Sequence, residues 1–496
     1  MNILEAKEYI KDTVTIYLKK DEFGDYKIPT VRQRPVFLIG APGIGKSAIM
    51  EQIASELDIA LVSYSMTHHT RQSALGLPFI KEKTYEGMKV DVSEYTMSEI
   101  ISSIYETMEE SGIKEGILFL DEINCVSETL YPSMLNFLQF KTFGRHRIPD
   151  GWVIVTAGNP PEYNKSVREF DVVTLDRLKV MNVEADYSAW RKYALDKGIH
   201  QAILGFLDNN RDSFYKIETT ADGRSYVTAR GWEDLSEVLY SYEESQLKIN
   251  NQLIGQYLRC DSIIREFSIY YDLFNKYKDT YNVETIFRGA SSMCGEEASD
   301  EIIKNMQEVA GAATKDERLA LTGMLCSEII KDIKDMMDET DMLKNLLPAL
   351  KKAKASEDIF AEITRLAGER RLAIIKHEKA GTLSPKKKQE LKKTVAFLEA
   401  MVSQKNVDDL YNGRVRDLKS SVETIKLYFS NMFEFVKNAF GEDSNEMLVL
   451  VSELTVNDSS ARFLAQYGSS DYDEYSKNLK VKERKEKLRE EILELM

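Results

Sequence analysis

The chain has 496 residues, room for roughly three domains, with 43% hydrophobic and 30% charged residues, an ordinary globular balance. Asp and Glu total 81 against 66 Lys and Arg, a formal charge of −15 that argues against direct binding to nucleic acid or an anionic membrane. No apolar run approaches the roughly 18 residues of a membrane span, and the opening MNILEAKEYIKD follows an amphipathic helix pattern rather than a signal peptide, so the expected address is the cytoplasm.

The first β-rich run, RPVFLIG, leads into GAPGIGKS, Gly40 to Ser47, and a helical pattern, SAIMEQIASEL, follows. This is the strand–loop–helix setting of a phosphate-binding loop. Gly40, Gly43 and Gly45 let the backbone turn its N–H groups inward, with Ala41, Pro42 and Ile44 completing the cradle. The helix N-terminus adds a favourable dipole. Lys46 is expected to reach the β- and γ-phosphates of ATP, and Ser47 to ligate Mg²⁺.

A second run, ALVSYSM, continues into THHTRQSALGLP, which contains His68 and His69. Adjacent histidines diverge from most backbones and no third ligand stands at helical spacing, so we read this stretch as a link rather than a metal site. Cys125, Cys260, Cys294 and Cys326 likewise show no CxxC spacing, which suggests neither a zinc site nor a disulfide framework.

The third run, GILFLDEI, ends in two acids. A strand that delivers them at its C-terminal end sets both beside the phosphate loop, Asp121 to hold Mg²⁺ through water and Glu122 to polarise the attacking water. The DEIN sequence lacks the DxxG expected of a GTPase, and a second carboxylate built for water favours hydrolysis over phosphate transfer to a small molecule. The fourth run, WVIVTAG, is followed by Asn159 and two prolines; an amide at a neighbouring strand end can bond the attacking water or the γ-phosphate. A fifth run, LKVMNVEA, completes the strand pattern. With intervening helical patterns, the five predict an α/β core of parallel strands over residues 1–186.

From about Tyr187 strand signals nearly vanish. Residues 187–245 read as a small all-α lid, and 246–496 as an all-α C-terminal region. Within it AEITRLAGERRLAIIKHEK and PKKKQELKKTVAFLEAMVSQ flank AGTLS, which predicts an antiparallel helical hairpin over about 356–404.

In their order, GAPGIGKS, GILFLDEIN, VTAGNPP, LDRLKV and VTARGWEDL resemble an AAA+ ATPase of the MoxR type, over roughly the first half of the chain. The resemblance implies a five-stranded parallel P-loop core with a helical lid, and a ring whose ATP sites lie between subunits. It implies two hairpins facing a central pore, for which LPFIKEKTYEGMKVDV (77–92) and FKTFGRHRIPDGW (140–152) are the counterparts. It also gives roles to arginines. Arg177 matches the finger presented to the neighbouring subunit's γ-phosphate, Arg230 matches the second sensor on the lid, and Arg168 is a weaker finger candidate. Where relatives often carry phenylalanine after the finger, this chain has Leu178.

The expected function is therefore ATP hydrolysis by a homo-hexamer that remodels or chaperones a protein client. The resemblance implies a partner bearing a von Willebrand factor A domain. Two alternatives stay open on the same motifs: the motor subunit of a chelatase-like metal-insertion complex, and a nucleotide-gated scaffold with little turnover. DNA translocation is disfavoured by the charge.

Overall fold

The computed structural model describes residues 1–68, 76–85, 88–143, 145–163, 166–220, 223–289 and 296–477. The chain divides into two compact units, one formed by 1–189 with 361–400, the other by 190–360 with 401–496.

The first unit is built on five parallel strands: β1 (Val36–Gly40), β2 (Ala60–Ser65), β5 (Gly116–Asp121), β8 (Trp152–Gly158) and β9 (Lys179–Val183). They are the five β-rich runs of the sequence, in the spatial order β2-β5-β8-β1-β9. The three central strands are almost wholly buried, which is why they read as continuous apolar runs rather than alternating ones. Helix α1 (Ile3–Tyr17) opens the unit with a capping box, Asn2 and Glu5 each bonding the other's backbone N–H. Its Ala6, Ile10 and Val14 are fully buried, and Lys7 and Lys11 both pair with Glu56 of α2 (Lys46–Leu57). On the other side of β2 lies α3 (Glu99–Ser111), whose Ile100, Ile101 and Ile104 are fully buried.

Two antiparallel hairpins extend from this core. Strands β3 (Pro78–Tyr85) and β4 (Met88–Tyr95) occupy the first expected hairpin, and β6 (Thr142–Phe143) with β7 (His146–Arg147) the second. His68 ends a short 3₁₀ turn, Met66–His68; His69 and the rest of the link to 75 lie outside the described residues, as do 86–87 and 144 within the hairpins and Cys294.

The expected helical hairpin is formed by α14 (Ile359–Lys379) and α15 (Pro385–Ser403), tied together by Lys388–Glu378 at 2.6 Å and by Arg371–Glu399. Residues 361–400 of it fold with the first unit. Its turn covers the edge of the sheet: the Leu61 N–H donates to the Ala380 carbonyl at 2.9 Å, and Ala380 is fully buried among the core residues beneath β2. Gly381, at φ +68°, approaches so closely that a Cβ would sit 2.7 Å from the Leu61 carbonyl oxygen. An open edge strand invites pairing with other chains, and this turn blocks it.

The second unit is mostly helical. It includes α6 (Tyr187–Lys197, shared with the first unit at its start), α7 (Gln201–Asn209), α8 (Ala229–Glu244), α9 (Asn251–Tyr257), α10 (Asp261–Thr280), α11 (Val283–Arg288), α12 (Glu296–Ala312) and α13 (Lys315–Lys354). After the hairpin come α16 (Asp408–Phe440), α17 (Asn445–Val456) and α18 (Asp458–Tyr467). A cluster of Phe206, Trp232 and Phe267, in which Phe267 meets both other rings edge-to-face, marks one centre of its core. One feature differs from the sequence expectation. The segment expected to be all helical carries an antiparallel pair, β10 (Lys216–Thr220) with β11 (Gly223–Val227). No helix among the described residues is long and apolar enough to cross a membrane.

Candidate functional site

Three strands deliver one cluster of side chains. β1 runs into Gly40 to Ser47, β5 ends at Asp121 and β8 at Gly158, and register sets Ile39 beside Gly158 and Leu120 beside Thr156. The residues that follow each strand therefore meet at the C-terminal edge of the sheet, where open α/β folds bind ligands.

The loop's shape depends on its glycines. Gly43 and Gly45 adopt φ of +74° and +97°. Gly40 matters through space instead: a Cβ would lie 2.6 Å from the Val183 carbonyl oxygen. Gly45 is the N-cap of α2 and no side chain caps that helix, which leaves its first N–H groups and positive dipole end to an anion. Lys46 is 8% exposed, and its ammonium donates to the carbonyls of Gly40 (2.7 Å) and Ala41 (2.8 Å) and to Oδ1 of Asn159 (2.9 Å). These bonds hold its charge inside the loop. An arriving phosphate oxygen would take over one of the three ammonium protons.

Ser47 Oγ donates to Asp121 Oδ2 at 3.0 Å. A hydroxyl and a carboxylate at this separation form a hard-oxygen pair of the kind Mg²⁺ accepts, and with the uncapped helix and Lys46 the donor set fits a nucleotide triphosphate. Glu122 follows in a left-handed conformation, φ 54°, unusual for a residue with a side chain and costing of order 1–3 kcal/mol. Its N–H donates to Asp121 Oδ1 at 2.9 Å, and its Oε2 accepts from Ser65 Oγ and Thr67 Oγ1, both at 3.0 Å. The bend turns the carboxylate away from the strand axis, and the end of β2 receives it.

Asn124 completes the arrangement. It is 5% exposed, its Nδ2 donates to the Asn159 carbonyl at 2.8 Å, and its own carbonyl accepts the Arg168 N–H at 2.9 Å. Its Oδ1 is buried against Gly158 and has no hydrogen-bond partner among the described residues. Asn124 thus ties the loop after β5 to the residue after β8 and fixes where Asn159 stands. Burial and the charges of Glu122 and Asp121 push the neighbouring Cys125 thiol up, which keeps it protonated.

Of the residues expected from sequence, Lys46, Ser47, Asp121, Glu122 and Asn159 are brought together with the loop Gly40–Ser47. The side chains of Arg168 and Arg177 form no hydrogen bond with these residues among those described, although the Arg168 N–H reaches the Asn124 carbonyl. Arg177 is exposed between α5 (Val172–Leu175) and β9, and forms no side-chain hydrogen bond or ion pair among the described residues, although its charge helps Thr174 hold the Asp171 carboxyl low. Arg168 is half-buried and paired with Glu128. Arg230 belongs to the second unit, exposed in the first turn of α8. Sequence reading passed over Ser65, Thr67 and Asn124. Only Asn124 carried a signal, as a short polar residue two positions after Glu122.

Residues 36–173 match the family described as ATPase family associated with various cellular activities (AAA). The match spans the loop, both acids and Asn159, and supports a nucleotide-hydrolysing ATPase domain; it covers well under half of the chain. No curated protein matches this chain. Among solved structures, NtrX from Brucella abortus in complex with ADP is 14% identical, covering 42% of each chain at a TM-score of 0.24. A second NtrX structure from Brucella abortus is 15% identical, covering 42% of this chain and 45% of that one at a TM-score of 0.23. The chain spans less than half the length of either, and likeness this slight carries no argument about function.

Proposed function

We propose that this chain is an ATP-hydrolysing AAA+ ATPase of the MoxR type that works as a homo-hexameric ring and remodels or chaperones a protein client. The observation that carries the reading is the convergence of Lys46, Ser47, Asp121, Glu122 and Asn159 at one edge of the sheet. Lys46 and the N–H groups of the loop hold the β- and γ-phosphates of ATP. Mg²⁺, held by Ser47 and through water by Asp121, supplies charge neutralisation on the phosphate oxygens when bound. Glu122 orients a water against the γ-phosphate and takes its proton, with Ser65 and Thr67 fixing the carboxylate's direction. Asn159, steadied by Asn124, hydrogen-bonds the water or the γ-phosphate.

The finger is Arg177 of a neighbouring subunit, worth about 10³–10⁵ in rate where such arginines act in trans. Its exposure and lack of an ion partner among the described residues support this choice over Arg168, which is engaged by Glu128. Arg230 serves as the second sensor, and a von Willebrand factor A domain protein in the cytoplasm is the expected partner. The test is Glu122→Gln. ATP affinity, measured with a fluorescent analogue, should hold within about twofold while turnover falls roughly 10²–10⁴-fold. Unchanged turnover removes Glu122 from the mechanism, and wild-type protein without turnover under any condition favours a nucleotide-gated scaffold.

A further inference from the structure

Residues 168–178 run from the site to β9 and carry Arg177. Two holds fix where this segment starts. The Arg168 N–H donates to the Asn124 carbonyl at 2.9 Å. The Phe170 ring, 9% exposed, packs on Phe37 of β1 with centroids 5.0 Å apart and on Tyr131 at 5.8 Å. At the far end Leu178 is 4% exposed, and it joins Phe170 and Phe37 in the hydrophobic core of the first unit.

Between the two anchors the chain is tied to itself. Asp171 caps α5, its Oδ1 accepting the Thr174 N–H at 2.8 Å, and Thr174 is buried. The Asp176 N–H then donates to the Val172 carbonyl at 2.9 Å, and the Arg177 N–H to the Thr174 carbonyl at 3.1 Å. What this framework turns outward is Val172, Val173 and Arg177. A backbone anchored at both ends and capped in between is ordered before any contact is made, so little freedom is lost when its tip docks.

We propose that Phe170 and Asp171 are positioning residues for Arg177, holding the guanidinium as a preformed projection that meets the triphosphate of a second copy of this chain. Neither side chain touches the reacting atoms; both act through the backbone of 171–177. Charge favours that destination, since the surface a nucleotide-loaded copy offers at Asp121, Glu122 and the phosphates is anionic. A displacement of about 1 Å in a catalytic group costs about 10²-fold in rate, so the anchors bear directly on turnover. The inference rests on the reading of Arg177 as a finger acting in trans. Phe170 also touches the strand that leads into its own subunit's phosphate loop, and the experiment separates those two roles.

The experiment measures ATP turnover and ATP affinity of Phe170→Ala, alone and mixed with Lys46→Ala subunits, with Arg177→Ala run beside it. Alone, Phe170→Ala should hydrolyse about tenfold to a hundredfold more slowly, at an ATP affinity within about twofold of wild type. Phe170→Leu, which keeps an apolar filling, should lose less than about threefold. Mixed with Lys46→Ala, whose arginine is properly held, Phe170→Ala should recover in the same proportion as Arg177→Ala. Asp171→Ala changes an exposed cap and tests the same point should Phe170→Ala not fold; a fall of about threefold or more, likewise restored by mixing, is expected. Recovery of Arg177→Ala without recovery of Phe170→Ala would locate the defect in the variant's own phosphate loop, overturning the inference while leaving the finger standing. Recovery of neither, between subunits shown to exchange, would remove the finger and the inference with it. Wild-type turnover in folded Phe170→Ala, or in Asp171→Ala, would overturn it as well.

Discussion

Gly158→Ala offers a quantitative test of how Asn124 and Asn159 are held. Gly158 is buried at the end of β8, and a Cβ there would fall 2.7 Å from Asn124 Cγ and 2.9 Å from Nδ2, with Oδ1 closer still. The amide must therefore shift, and its 2.8 Å bond to the Asn159 carbonyl is strained or lost. Overpacking in a buried site costs about 1–3 kcal/mol, and a lost hydrogen bond adds about 1 kcal/mol. For a unit of this size each kcal/mol is roughly 2–4 °C in Tm, so a fall of about 4–16 °C is expected. Asn124→Ala removes the obstructing atoms, so the second substitution should cost little once the first is made. The double variant should then be more stable than the sum of the single effects predicts, with a coupling of about 1–2 kcal/mol. Urea unfolding of the four proteins gives the number. Strict additivity would refute the packing argument. ATP affinity should fall in both single variants, because each loosens the residue that accepts from Lys46.

Two further outcomes follow from the same structure. Lys141 is 2% exposed after α4 (Tyr131–Phe140), donates to the Leu138 carbonyl, and is lowered by burial to about 7. Between that value and the ordinary lysine range the unfolded chain binds the extra proton, so native stability rises with pH there. Lys141→Met should accordingly stabilise the first unit at pH near 7 by on the order of a few kcal/mol, an advantage that shrinks as pH climbs toward about 10. Thermal scans across that range check it, and a constant advantage would contradict it. For the finger, Arg177→Ala should bind ATP yet hydrolyse it poorly, and mixing with Lys46→Ala subunits should restore part of the activity. Absence of rescue between subunits shown to exchange would sink the in-trans assignment.

The central sheet was legible because its three central strands are buried on both faces and read as unbroken apolar runs. The cluster was legible because a phosphate loop, an acid pair behind a strand and a polar amide behind another strand each have their own local pattern. What escaped reading depends on distance or on weak patterning. The docking of Ala380 and Gly381 on Leu61 is a contact between segments far apart in sequence, and nothing local in AGTLS announces it. Ser65, Thr67 and Asn124 are ordinary polar residues until the fold brings Glu122 and Asn159 to them. The β10–β11 pair is rich in Lys, Glu, Thr and Ser with little apolar alternation, so its strand character lay mainly in the Asp222-Gly223 turn signal.

The central claim is an ATP site completed by a neighbouring subunit. It is tested most directly by ATP hydrolysis per subunit against protein concentration, with Mg²⁺ present and the assembly state followed by sizing. The account predicts a per-subunit rate that is low for the monomer, climbs steeply as the chain assembles and then saturates. A rate per subunit that stays constant down to dilutions at which the chain is monomeric would contradict it.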